Sequence, residues 1–215
     1  EGGVWDAFWA QAQFGAAGTG YSGSTTPLPA VFIEGQRFTY NGVAWHVIHE
    51  RDGAALLITE HVHSVGTLYN ATNVYTRLPE SALRQNLNYW AEHHLGGLRQ
   101  RARVPNDVYR DVRSTPGGTT WRTENGEAGR TSPGVATTSN TAVFIFSISE
   151  ANQYFEGMAT RVARGDGGGA QEWWLRSPGE ASGSSVARTS ENGEISVIRA
   201  DVLHVGFRPA LWVSN

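Results

Sequence analysis

Residues 172–212 constrain the fold more than any other stretch. They read EWWLRSPGEASGSSVARTSENGEISVIRADVLHVGFRPALW. Two dense apolar blocks, 173–175 and 205–212, bracket mostly small or polar residues. Short apolar runs bounded by turn residues read as buried strands, and the polar middle reads as a surface between them. Gly179, Gly183 and Gly193 supply turns, and Asn192-Gly193 is the strongest short hairpin signal in the chain. The residues alone leave two readings open. One is a binding face held between two core strands; the other is a plain solvent-exposed hairpin.

The composition supports a core able to anchor such a face. Hydrophobic residues make up 40% of the 215, with eight Trp. The length fits one large domain or two small ones. Only 17% of residues are charged and 26 are Gly, a balance suited to short strands and long loops rather than a helical bundle. The net charge of −3, with no basic run, argues against nucleic acid or an anionic membrane as partner. The absence of cysteine excludes a disulfide framework, a thiolate metal site and a thiol nucleophile. No apolar run approaches membrane-spanning length, so no membrane insertion is expected. A start at Glu1 suggests a removed leader or tag, or a fragment.

Residues 1–14 carry Val4, Trp5, Phe8, Trp9 and Ala12 at near-helical spacing, which predicts a short amphipathic helix. Its aromatics dock on the domain or mark a homo-oligomer contact. Residues 15–30, rich in Gly, Ser, Thr and Pro, read as a linker or arm, so 1–30 stands apart from a domain over 31–215. Residues 37–40, a turn at Asn41-Gly42, residues 43–48, a turn at 51–53 and residues 54–60 form a meander of three strands. Leu83, Leu87, Trp90, His94, Leu95 and Leu98 make one stripe of a helix over 81–98, with Ser81 as N-cap and Gly96-Gly97 loosening its last turn. Residues 143–146 read as a short buried strand. Ser147 and Glu150 form a capping box that opens a second helix up to Gly157. The stretch 114–140 has almost no periodicity and reads as a polar insertion, with Trp121 as its one large apolar residue.

Candidate chemistry is sparse. His61-Val62-His63 places two imidazoles on one face of a strand, a spacing that can bind metal; His93 and His94 are helix neighbours facing different ways. No three- or four-ligand set accompanies them, so ordinary polar histidines, no metal and no cofactor are expected. Asp166, in the Gly-rich run 164–169, lacks the alternating carboxylates of a calcium loop. No nucleophile elbow is present. Ser177 looks structural, and Glu124 and Glu127 lie in the polar insertion, where solvation is the default. Arg176 adjoins the first apolar block and Arg208 sits inside the second. A guanidinium there must be paired or hydrogen-bonded, so each is expected to hold a carboxylate or backbone carbonyls; an anion site is the alternative.

The segments FTYNGVAWHVIHERDGAALLITEH, SALRQNLNYW, TAVFIFSISEANQYF, WWLRSPG and GFRPALW resemble, in order, a bacterial domain family related to the C-type lectin fold. WWLRSPG with a terminal GFRPALW is the specific part. The resemblance implies an α+β, C-type-lectin-like fold of short antiparallel strands, two main helices and long loops. It is similar to the variable proteins of diversity-generating retroelements, in which a C-terminal segment carries diversified residues on one exposed face. The matching positions are Ser182, Ser184, Ser185, Arg188, Thr189, Ser190, Glu194, Ser196, Arg199, Asp201, Leu203 and His204. The enzymes that generate formylglycine share this fold but use active-site cysteines, which this chain lacks. Calcium-dependent sugar-binding motifs such as Glu-Pro-Asn are also missing.

The resemblance therefore implies a non-enzymatic module that binds a macromolecular ligand, protein or glycan, of bacterial or phage origin; it leaves the location open, with a cell surface or a phage particle as one reading. Two other readings stay open. One is a hydrolase-like enzyme with its site in the 114–140 and 164–170 loops. The other is a structural module of a bacterial or phage surface protein.

Overall fold

Strand β1 (Arg37–Tyr40) and strand β2 (Val43–Arg51) pair antiparallel in a computed structural model that describes residues 27–64, 66–106, 130–165, 167–179 and 184–215. The tight turns of this meander follow from their sequences. Asn41 and Gly42 both take positive φ, 50° and 75°, as do Asp52 and Gly53 at 51° and 69°. This is the two-residue turn whose twist matches paired strands. Strand β3 (Ala54–Thr59) is buried at every position, as its unbroken apolar run requires.

The remaining strands are β4 (His61–Val62), β5 (Ala102–Asn106), β6 (Ser132–Ala136), β7 (Ala163–Gly165), β8 (Ala170–Gln171), β9 (Trp173–Pro178), β10 (Ser185–Thr189), β11 (Ile195–Arg199) and β12 (Ala210–Ser214). They form a six-stranded sheet in the order β1-β2-β3-β12-β5-β6, and two three-stranded sheets, β11-β10-β9 and β4-β7-β8. Helices α1 (Ala82–His94), α2 (Leu98–Arg101), α3 (Ile148–Tyr154) and α4 (Met158–Arg161), with 3-10 turns at Leu78–Glu80 and Asn140–Ala142, complete the described elements. The class is α+β. No described helix is long and apolar enough to cross a membrane.

Both expected helix starts are present. The Ser81 hydroxyl accepts from the Arg84 amide, and Leu83, Leu87, Trp90 and Ala91 face the core. The helix expected over 81–98 breaks near Gly96, where φ is +49°, and resumes as α2. The Ser147–Glu150 capping box is complete in both directions. The described end of the expected arm is held by Arg101, which donates to the carbonyls of Pro29 and Ala30.

Three expectations need correction. The insertion read over 114–140 ends in structure: Ser132–Ala136 is an edge strand paired with β5. Pro133 hides its strand character from a periodicity search, and an edge is where a strand tolerates proline. Residues 143–146 make no regular strand. Phe144 exchanges backbone bonds with Ala210 of β12, while the Phe146 carbonyl accepts from Arg176 of β9. That stretch ties the large sheet to the small one. The block 205–212 is a strand only from Ala210 onward; before it, Gly206 and Phe207 bridge singly to Trp173 and His63. The N-terminal helix expected at 1–14, the arm up to residue 26, Trp121, Glu124, Glu127, Asp166 and Ser182 lie outside the described residues.

The core gathers Trp45, Trp90, Trp173, Trp174 and Trp212, all buried. Their indole N–H groups need partners, and three find them. Trp173 donates to the Arg161 carbonyl, Trp174 to the Thr67 carbonyl and Trp212 to the Thr131 hydroxyl.

Candidate functional site

The polar segment between the apolar blocks folds as the β9-β10-β11 sheet. Its hairpin turn differs from a two-residue Asn-Gly turn. The Gly193 amide bonds the Ser190 carbonyl and the Ser190 amide bonds the Glu194 carbonyl. Only Gly193, at φ +83°, is left-handed there. This is a three-residue loop closed by a glycine bulge. The turn is docked on α4. Arg161 Nε donates to the Gly193 carbonyl at 2.9 Å, and a Cβ on Gly193 would lie 1.8 Å from the Met158 carbonyl oxygen.

Antiparallel register sets which side chains are neighbours. Ser185 lies opposite Arg199, Arg188 opposite Ser196, and Thr189 opposite Ile195. On the other side of β10, Arg188 lies opposite Trp174 and Thr189 opposite Trp173. Residues directly opposite share a face, so Arg188, Ser196 and Trp174 form one row and Thr189, Ile195 and Trp173 the other.

The expected site residues divide by burial. Glu194, Arg199, Leu203 and His204 are exposed, Leu203 by 58%. Ser184, Ser185, Arg188, Ser190, Ser196 and Asp201 are half-buried. Thr189 is fully buried in the row of Trp173 and cannot present its side chain to a ligand. The polar look of the segment therefore overstates its surface: Val186, Ala187, Thr189, Ile195 and Ala200 all belong to the interior.

Several of the exposed groups are tied down. Arg199 donates Nε and Nη2 to the two oxygens of Asp201, at 2.9 and 2.7 Å. That bond holds the Arg199 guanidinium above, and the Asp201 carboxyl below, their ordinary ranges. The Ser190 hydroxyl bridges Asn192 and the Glu194 backbone within the turn. Arg188 and His204 meet at Glu172, whose carboxylate contacts the Arg188 guanidinium and lies 3.1 Å from His204 Nε2. Burial pulls Arg188 below the usual arginine value, against the attraction of Glu191 and Glu194. Glu172 carries no motif. Its position just before buried Trp173, at the start of an apolar block, is the one sequence signal of its role.

The buried arginines behave as core groups must. Arg176 donates to the Ile145 carbonyl at 2.7 Å and pairs with Glu150. Arg208 donates twice to the Thr59 carbonyl. Ser177 is structural, its hydroxyl accepting from the Ile148 amide at 3.0 Å. His61 and His63 part company: His61 is exposed, while His63 packs on Trp90 and His94 with ring centroids 5.3 and 6.3 Å away. Among the described residues no three His, Asp or Glu side chains gather as metal ligands.

A family model described as a domain of unknown function (DUF6273) matches residues 52–215. No curated protein and no solved structure matches the chain.

Proposed function

We propose that this chain, which belongs to the DUF6273 family, is a non-enzymatic binding module of C-type-lectin-like fold. Side chains of the 184–204 segment are displayed to a macromolecular ligand, as in the variable proteins of diversity-generating retroelements. One observation carries the reading. The exposed Glu194 and Arg199 lie in the turn and at the end of a hairpin that pairs with β9 and docks through its turn on α4, and the exposed Leu203 and His204 follow it. A surface ordered before contact loses less conformational entropy on binding, so its side chains can change without the cost of re-forming a loop.

Two features support the lectin-like part. The last strand, β12, returns to the middle of the large sheet between β3 and β5. The candidate binding segment occupies a separate small sheet joined to it through 143–146. The positions that serve display are fewer than the polar residues of the segment. Glu194, Arg199, Leu203 and His204 lead, with Ser184, Ser185, Arg188, Ser190, Ser196 and Asp201 at the margin. Thr189 belongs to the scaffold.

The test is in the surrounding DNA. The expected finding is a reverse transcriptase gene and a near-copy of the segment encoding 172–212 that differs mainly at adenines, with differences falling on codons of the exposed positions. Differences concentrated on Trp173, Thr189 or Ile195 codons would overturn the assignment of the face. Absence of both gene and copy would leave a binding domain of fixed specificity.

A further inference from the structure

The three sheets expose their edges unequally. In the large sheet the end strand β6 carries Pro133 and a break in its register with β5, and the opposite end strand β1 has four residues. Strands β4 and β8, at the ends of one small sheet, have two residues each. The outer side of β9 is taken: the Trp174 amide donates to the Gly206 carbonyl and the Arg176 amide to the Phe146 carbonyl. Proline, broken register, shortness and a covering segment are the ways a fold keeps an edge from pairing. Strand β11 has none of them among the described residues. It ends its sheet, pairs with β10 over unbroken register from Ile195 to Arg199, and contains no proline.

Register fixes which backbone groups of β11 face outward. The Ser190 amide donates to the Glu194 carbonyl, so those two residues are a hydrogen-bonded pair. Such pairs alternate along an antiparallel ladder. Ser196 and Ile198 therefore bond to β10, and the amides and carbonyls of Ile195, Val197 and Arg199 turn away from it. The row ends at Ala200, whose amide donates to the Asn73 side chain at 3.2 Å and whose carbonyl accepts from the Asn70 amide at 3.0 Å. Ser196, Val197 and Ile198 are half-buried and Arg199 is exposed, so the edge is accessible. The charges along it do not balance. Arg188 has Glu172 as its partner and Arg199 has Asp201. Glu191 and Glu194, both exposed at the turn end, leave an excess of negative charge there.

We propose that β11 is the docking edge for an extended, basic polypeptide segment, which adds as a further strand to the small sheet. Backbone bonds to Ile195, Val197 and Arg199 hold it, its apolar side chains lie on Val197 and Ile198, and a lysine or arginine meets Glu191 and Glu194. A row of alternating donors and acceptors at strand spacing selects a polypeptide over a glycan. The proposal rests on the display reading and narrows its ligand to protein. Main-chain bonds accept many sequences, and the side chains beside the edge choose among them.

Amide NMR signals of the full chain, titrated with a capped hexapeptide of alternating valine and lysine, test the proposal. The expected result is a saturable shift, larger at the amides of Ile195, Val197 and Arg199 than at those of Ser196 and Ile198. A valine–glutamate hexapeptide should bind about tenfold more weakly or worse. The N-methylated valine–lysine hexapeptide keeps the side chains, loses the donors and should not bind. Val197→Pro removes one outward donor at an edge position, where proline is tolerated, and should weaken binding about fivefold or more. No saturable shift with the lysine peptide, or equal binding of either control peptide, would overturn the proposal. So would a dimer of the chain alone, seen by sedimentation and abolished in Val197→Pro, because the edge would then serve a second copy. If Val197→Pro does not fold, the three peptides decide. A silent titration would leave display itself to be decided by the surrounding DNA.

Discussion

Glu150 and Arg176 form an ion pair in which neither side chain is exposed. The Glu150 carboxylate also accepts from the amides of Thr131 and Ser147, at 2.8 and 2.9 Å, and from the Thr131 hydroxyl at 2.7 Å. The Trp212 indole donates to that same hydroxyl. One carboxylate thus joins the start of α3, the approach to β6, β9 and β12. Glu150→Ala would strand a buried guanidinium and should cost about 3–5 kcal/mol in a denaturant melt. The double replacement Glu150→Leu with Arg176→Met should recover much of that loss, because it leaves no orphaned charge. Equal losses in the single and double variants would mean that the charge is not what the pair contributes.

How far the sequence announces this depends on distance along the chain. The capping box of Ser147 and Glu150, the Asn41-Gly42 turn and the stripe of Leu83, Leu87 and Trp90 are local patterns, and each is present as read. A carboxylate or carbonyls on Arg176 and Arg208 follows from desolvation alone, but which groups serve is a tertiary matter. Thr59 is 149 positions from Arg208, and no spacing rule reaches that far. The candidate face was half legible for the same reason. Polarity marks 176–204 as surface, yet the strand period of two turns Thr189 inward beside Trp173. The place of Glu172 before Trp173 hints at a role, but its partners Arg188 and His204 come from two other segments and no local pattern names them.

The turn at Gly193 is a second point of control. A Cβ there meets the Met158 carbonyl oxygen, and φ is +83°. Gly193→Ala should therefore destabilise by about 1 kcal/mol or more. Asn192→Ala, in the same turn but exposed, should cost less. Amide exchange along β10 and β11 should rise in Gly193→Ala; unchanged exchange and stability would show that the hairpin does not depend on its contact with α4.

Glu172 meets two side chains of unequal burial. Its side chain is 14% exposed, Arg188 is 18% exposed and His204 is 59% exposed. Glu172→Ala should cost about 1–3 kcal/mol, chiefly through Arg188, which loses its carboxylate while desolvated. A double-mutant cycle against Arg188→Met should give a larger coupling than one against His204→Ala, since an exposed pair contributes little. The reverse order would relocate the anchor of this face to the 200–204 loop.

His63 makes stability depend on pH. Burial, reinforced by His94, His61 and Arg208, holds its imidazole down to about 3 from an ordinary 6.5. Its Nε2 is buried without a partner. Between those values the unfolded chain binds a proton that the folded chain refuses. The stability due to neutral His63 is complete above about 6.5 and is lost as pH falls toward about 3, by at most about 1.4 kcal/mol per pH unit. His63→Phe removes the titration, so urea midpoints measured across that window should slope less steeply than in the parent. An identical slope would mean that His63 titrates normally in the folded chain.

The display reading makes the opposite demand of the exposed side chains. Leu203 is 58% exposed, and Glu194 is exposed in the turn. Arg199, itself exposed, spends its guanidinium on Asp201, and pairs at the surface contribute little to folding. Replacing Glu194, Leu203 and His204 together with small polar residues should leave stability within about 0.5 kcal/mol per site in a thermal melt. Thr189→Arg should unfold the small sheet, because it drives a charge into the row of Trp173 and Ile195. Tolerance at the first set with intolerance at Thr189 is the pattern that a rigid display surface requires. Severe loss at the exposed set would make those side chains part of the scaffold and remove the basis for a variable face.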